Sequence, residues 1–289
     1  MYRLLQAEWI KVIKNFKLTS PLVWVYPIGA ASVYGLGILL IGSLLENVFE
    51  PTQWTSDALS IWSAINGFPV SVFGRLLPLA FMAVFFAGEY QWGTWKNIVP
   101  RCSRRVLIIS KMIILIFVVM LSLLMTSGIV TSLQWLGHRI NGLAYQPEFT
   151  SNSFIDFLRV YLREVNFGLI SLSIIASFAA IAAILTQSVL GSLLLSFGLS
   201  IFEIISGLLL AVLGRFLGAE KLINLYQYMP SYCIANIRSW SVEGIVYVTE
   251  FPGFTAEPSL GISWLILLVW VIGLIGISIW LFQRQDITS

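Results

Sequence analysis

Gly88-Glu-Tyr-Gln-Trp-Gly-Thr-Trp-Lys-Asn-Ile-Val-Pro-Arg-Cys-Ser-Arg-Arg-Val-Leu-Ile-Ile-Ser-Lys111 gathers Lys96, Arg101, Arg104, Arg105 and Lys111 between two long apolar runs. Short loops rich in Lys and Arg stay on the cytoplasmic side of a membrane. If the flanking runs cross a bilayer, this stretch fixes the topology of the whole chain.

Composition requires that they cross. With 58% hydrophobic residues, 11% charged residues and a mean hydropathy of +0.87, the 289 residues lack the polar surface of a soluble domain. The net charge of +3 does not point to nucleic acid, because the basic residues sit beside apolar runs, as topology demands. Cys102 and Cys233 fall on opposite sides in the topology below and cannot pair, and neither has metal-ligand spacing. His138, the single histidine, follows an apolar run and reads as an interfacial side chain, so a histidine-centred active site is not expected.

A helix needs about 20 apolar residues to cross about 30 Å of hydrocarbon. That ruler predicts an all-α polytopic membrane protein with one transmembrane domain. Its six spans cover about residues 21–44, 66–88, 108–136, 166–186, 190–213 and 261–282. The run from Asn166 to Phe202 would be roughly 55 Å long as one helix, so it must fold back, and Thr186-Gln187-Ser188 with Gly191 is the polar, small cluster that can turn. Arg3, Lys11, Lys14, Lys17, the five basic residues of the opening stretch and Arg284 make ten on one side. Arg139, Arg159, Arg163, Arg215, Lys221 and Arg238 make six on the other, accompanied by acidic residues such as Glu46, Glu50 and Glu250. Both termini are therefore predicted to be cytoplasmic. Leu18 to Leu45 outruns a signal-peptide core, so the first span is expected to remain uncleaved.

Before that span, Leu4, Leu5, Trp9, Val12, Ile13 and Phe16 recur at helical intervals, with Arg3, Lys11 and Lys14 mostly elsewhere. This predicts an amphipathic helix over residues 1–17, lying in the interface or against a partner protein. Ser43 to Ile65 reads as the first outer loop. Ser153-Phe-Ile-Asp156 reads as a capping box opening a short outer helix, with Asp156, Arg159 and Arg163 on one face.

Arg75 and Glu203 are the ionisable residues predicted within hydrocarbon, where each would cost about 3 kcal/mol unpaired. They lie roughly 14 and 16 Å below the outer ends of their spans, which makes an intramembrane charge pair the expectation. Two uses remain open for it: fixing helix packing, or contacting substrate or a gate.

The order Glu89, Gly93, Thr94, Lys96, Pro100, Ser103, Arg104 and Lys111 after the second span resembles the most recognisable stretch of bacterial ATP-binding-cassette export permeases of the ABC-2 family. The basic amphipathic N-terminus is similar too, as is the tail Phe282-Gln-Arg284-Gln-Asp286, which resembles a Phe-x-Arg-x-Asp ending. Residues 215–260, with Tyr228-Met-Pro230, look like the place where such permeases carry short re-entrant helices. The resemblance implies that residues 89–105 form a cytoplasmic coupling loop docking on a separate ATPase subunit, which the N-terminal helix also touches. It implies two ATPase copies, a second permease that is identical or related, and a bacterial cytoplasmic membrane. Beside it stand physical reasons: Gly93 permits a sharp exit, Thr94 can cap a short helix ending before Pro100, and the cations can pair with acidic residues or anionic lipid. A plain positive-inside anchor is the other use of the same charges.

The chain contains no Gly-x-x-x-x-Gly-Lys-Ser/Thr and no Gly-Lys pair, so it has no phosphate loop of its own. It is expected to bind no cofactor, with ATP and Mg on the partner ATPase. An intramembrane enzyme would need a constellation such as paired aspartates or His-x-x-x-His, which the spans lack. A secondary transporter would need embedded carboxylates, of which Glu203 is the one candidate. A structural membrane subunit of a larger complex is the remaining alternative. The aromatic content of 14% suits an amphipathic cargo such as a peptide, drug or lipid.

Overall fold

A computed structural model of the chain describes residues 2–44, 52–66, 71–242, 244–249, 251 and 253–285. Glu46, Glu50, Glu250, Asp286 and the Arg101 side chain lie outside this description. Among the described residues the chain is all-helical. Six helical segments are long and apolar enough to cross a membrane: Pro21–Ile38, Ser71–Gln91, Arg104–Ile140, Ser151–Thr186, Val189–Phe216 and Leu260–Arg284. The chain divides into two compact units, Met1–Phe81 with Ile109–Leu172, and Met82–Ile108 with Ser173–Ser289.

The first unit begins with α1 (Tyr2–Lys14). A single turn, α2 (Phe16–Thr19), and a π-helical turn Ser20–Trp24 carrying Pro21 lead into α3 (Val25–Leu44). Pro21 has no N–H to give a regular helix. Thr19 donates its hydroxyl to Val12 O at 2.8 Å and so closes the end of α1.

Where the sequence reads as a loop, the structure has α4 (Trp54–Asn66). Trp54, Ala58, Trp62 and Ile65 are its buried residues, the i, i+4, i+8 and i+11 positions of one helical face. Polar residues on the other face keep its hydropathy below that of a span. After α4 comes α5 (Ser71–Gly74), then Arg75 and α6 (Leu76–Gln91). A Cβ at Gly74 would stand 1.9 Å from Ala64 O, so the two backbones touch and only glycine fits.

The third span is α8 (Arg104–Ile140). Its hydroxyls bind neighbouring carbonyls, Ser122 to Val23 O and Ser127 to Ala58 O, each at 2.7 Å, as expected of helices packed where water is scarce. Gly142 (φ +66°) ends it, with Leu143 N–H on His138 O and Gly142 N–H on Arg139 O, a Schellman cap. The His138 ring, in the last turn of α8, is buried: Nε2 accepts the Thr52 amide at 3.0 Å and Nδ1 meets Gln134 O at 2.8 Å.

The expected short outer helix and the fourth span are one helix, α9 (Ser151–Thr186). The capping box sits one turn earlier than predicted. Thr150 Oγ1 accepts the Ser153 amide and Ser153 Oγ accepts the Thr150 amide, a reciprocal exchange available to Thr-x-x-Ser as well as to Ser-x-x-Asp. Asp156 and Arg159 do share a face, 3.3 Å apart and exposed.

In the second unit α9 ends at Thr186, and Gln187 (φ +50°) turns the chain into α10 (Val189–Phe216). A 3-10 segment, Glu220–Tyr228, packs on α10 and on α12 (Leu260–Arg284), and α11 (Pro230–Val242) packs on the same two helices. Gly207 makes room for Tyr226 and Phe251. Asn236 ties the returning chain together by donating to Pro258 O and Ser263 Oγ and accepting the Tyr247 amide.

Candidate functional site

The stretch from Glu89 to Arg104 is held as a folded corner. Gly93 (φ +64°) ends α6, with Gly93 N–H on Tyr90 O at 3.1 Å and Thr94 N–H on Glu89 O at 3.0 Å. Those two bonds make a Schellman cap in which only the glycine adopts the left-handed conformation without strain. The Thr94 hydroxyl donates to the Glu89 carboxylate. Thr94 thus stands at the N-cap position of α7 (Trp95–Ile98) without capping it through its side chain, since its hydroxyl reaches back to the helix it leaves. The predicted short helix does stop before Pro100, which lies in a 3-10 turn, Val99–Arg101. Lys96, Pro100, Ser103 and Arg105 are exposed, whereas Glu89 is buried.

Arg104 opens α8 and closes another helix. Its Nη1 donates to Phe282 O at 2.9 Å, Gln283 O at 3.0 Å and Gln285 O at 2.6 Å, with the guanidinium 6.0 Å from the Phe282 ring centroid. A cation on the orphan carbonyls of a helix C-terminus satisfies both their hydrogen bonding and their partial negative charge. Gln285 accepts the Tyr90 hydroxyl at 2.6 Å and donates to Ile184 O at 3.2 Å. Trp95 packs against Tyr90 and Phe282, with centroids 5.9 and 4.7 Å away. Four elements therefore meet at one corner: the ends of α6, α9 and α12 and the start of α8.

Lys111 lies seven residues into α8, in the first unit, and is buried. Its Nζ stands 2.9 Å from Glu8 Oε2, while Lys11 Nζ stands 2.8 Å from Glu8 Oε1. Trp9 adds an edge contact to Phe117, 5.8 Å between centroids. Lys111 is thus occupied in pinning the amphipathic helix to α8. Sequence reasoning passed over Glu8, whose signal was a carboxylate one turn before Lys11 on an otherwise basic helix.

Arg75 and Glu203 are both buried, one in each unit, and each meets a helix end in its own unit. Arg75 Nε donates to Ile65 O at 2.8 Å, near the C-terminus of α4. Glu203 Oε1 accepts the Ser231 amide at 2.8 Å, in the first turn of α11. Both contacts match the sign of the charge to the helix dipole.

A family model for ABC-2 family transporter proteins matches residues 4–206, which take in the stretch from Glu89 to Arg104, Arg75 and Glu203. The chain belongs to the ABC-2 transporter family. Comparison with curated proteins finds no match. As an ABC transporter permease, the chain has six candidate spans among its described residues. In the corner around Arg104, side chains bind backbone carbonyls at helix ends, and Lys96 and Arg105 are among the exposed groups.

Proposed function

We propose that this permease is the transmembrane subunit of an exporter, and that residues 89–105 form the cytoplasmic coupling loop on which a separate ATPase subunit docks. The observation that carries the reading is the set of three hydrogen bonds that Arg104 donates to the end of α12, beside the Glu89–Thr94 contact at the end of α6. A loop joined in this way to two helix ends and to the start of a third transmits displacement instead of absorbing it. Lys96 and Arg105, exposed on the loop, supply charge for acidic residues of the ATPase.

ATP and Mg bind the partner, in two copies, and a second permease, identical or related, completes the pore. Nucleotide-driven closure of the ATPases pulls the loops, and the cavity between permeases opens outward to release an amphipathic peptide, drug or lipid from the bacterial cytoplasmic membrane. Both termini are cytosolic. In this reading the 3-10 segment and α11 are re-entrant, which the contact of α11 with Glu203, thirteen residues or about 20 Å from the end of α10, supports.

The test is ATP hydrolysis by the co-reconstituted ATPase with and without this chain. The purified chain alone should hydrolyse nothing. The complex should show hydrolysis that Lys96→Glu with Arg105→Glu uncouples from transport. Turnover by the chain alone, or unchanged coupling in the charge-reversed variant, contradicts the assignment.

A further inference from the structure

The end of α8 opposite the basic loop borders a cavity of about 820 Å³, within the size range of small-ligand sites. Trp54, Trp135, Leu136, Leu143, Pro147 and Phe149 form its apolar wall. Most polar groups around it are already committed. Trp54 Nε1 donates to Pro147 O, and the Tyr145 hydroxyl donates to Asp57. Thr131 and Ser132 return their hydroxyls to Ser127 O and Gly128 O. Both ring nitrogens of His138 have partners.

Among the described residues two donor groups are left over. Arg139 lies over the Trp135 ring, 5.2 Å from its centroid, and among the described residues that ring is its partner. A guanidinium stacked by its face keeps its in-plane N–H groups available. The Trp135 indole N–H is the second, and the side chain is 47% exposed beside Leu136 at 42%. The site thus offers donors without matching acceptors, one full positive charge and a long aromatic wall.

We propose that this cavity binds a phospholipid with a net anionic head, its phosphate on Arg139 and the Trp135 N–H and its acyl chain along the aromatic wall. With the basic loop cytosolic, the leaflet is the outer one. The binding itself requires only that the chain crosses a bilayer, so it stands or falls separately from docking of an ATPase.

The full-length chain is reconstituted in phosphatidylcholine vesicles containing a trace of phosphatidylglycerol whose acyl chain carries a diazirine. After illumination, the labelled peptides are identified by mass spectrometry. Labelling is expected within residues 131–149, displaced by unlabelled phosphatidylglycerol but not by the free headgroup. Arg139→Gln should lower it by about tenfold, the factor carried by one charge-assisted hydrogen bond, and Arg139→Lys should keep more than the glutamine variant does. Equal labelling by diazirine-tailed phosphatidylcholine, displacement by oleate as effective as by phosphatidylglycerol, or label confined to other segments would each overturn the proposal. The wild-type position and the headgroup comparison need no variant, so a misfolded Arg139→Gln chain leaves both tests standing.

Discussion

The Ser231 amide donates to Glu203 Oε1 at 2.8 Å, placing a buried carboxylate in the first turn of α11 twenty-eight residues along the chain. A carboxylate there is stabilised by the unpaired amides of the helix and by their partial positive charge. Glu203→Ala should therefore lower the thermal midpoint in detergent, consistent with a loss of about 2 kcal/mol for a hydrogen bond to a charged group. Glu203→Gln keeps an acceptor oxygen and should lose less. Equal midpoints for the two variants would mean that the amide contact contributes nothing.

Arg104 makes the equivalent contact with the opposite sign. Arg104→Ala frees the carbonyls of Phe282, Gln283 and Gln285, and the last turn of α12 should fray. Amide exchange over residues 280–285 should speed up by about tenfold, corresponding to about 1.4 kcal/mol. Exchange should change little over residues 260–266, the far end of the same helix.

The turn after α6 depends on one backbone conformation. Gly93→Ala has to hold alanine at φ +64°, costing about 1 kcal/mol or more. Thr94→Val keeps the fold of the turn and loses the hydroxyl on Glu89. The expected order of thermal midpoints is wild type, then Thr94→Val, then Gly93→Ala.

These contacts also show where the sequence was legible. Six candidate spans followed from apolar runs, because crossing hydrocarbon demands length and composition that a window can count. Gly93 could be read as a turn residue, since few other residues tolerate positive φ. The helix α4 was hidden, because its alternation of Trp54, Ala58 and Trp62 with Ser, Thr and Asp57 is too polar for a span and lies in a stretch read as loop. The partners of Arg104 and Glu203 were out of reach as well. They are backbone groups, which every residue carries, so no side-chain pattern announces them. For the same reason Thr94 was read as the cap of the helix ahead when its hydroxyl turns back to Glu89.

Glu8 between Lys11 and Lys111 makes a fourth testable arrangement. Removing one member of a buried ion pair leaves an uncompensated charge and costs about 3 kcal/mol or more. Lys111→Met and Glu8→Leu should each release α1, seen as faster proteolysis at Lys14. The double variant should recover most of the protection. Failure to recover would mean that α1 is held by Trp9 and its apolar face alone.

The turn that follows α8 in the first unit carries a pH dependence. Burial pushes the Tyr145 phenol well above its ordinary range, reinforced by the bond it donates to Asp57 and by the charge on Asp57. The folded chain then keeps a proton that the unfolded chain releases near pH 10, so stability is full below that pH and declines as the pH rises beyond it. Tyr145→Phe should be less stable at neutral pH and should lose that part of the alkaline decline.

In the proposed assembly the loop around Lys96 is gripped by a separate ATPase on the cytosolic face. A photo-crosslinking amino acid placed at Lys96, in membranes from cells that express the whole transporter, tests it most directly. The account predicts a covalent adduct with an ATPase carrying a Gly-x-x-x-x-Gly-Lys phosphate loop, and no such adduct from the same group placed at Phe149. An adduct from Phe149 in place of Lys96, or none from Lys96 while transport persists, would contradict it.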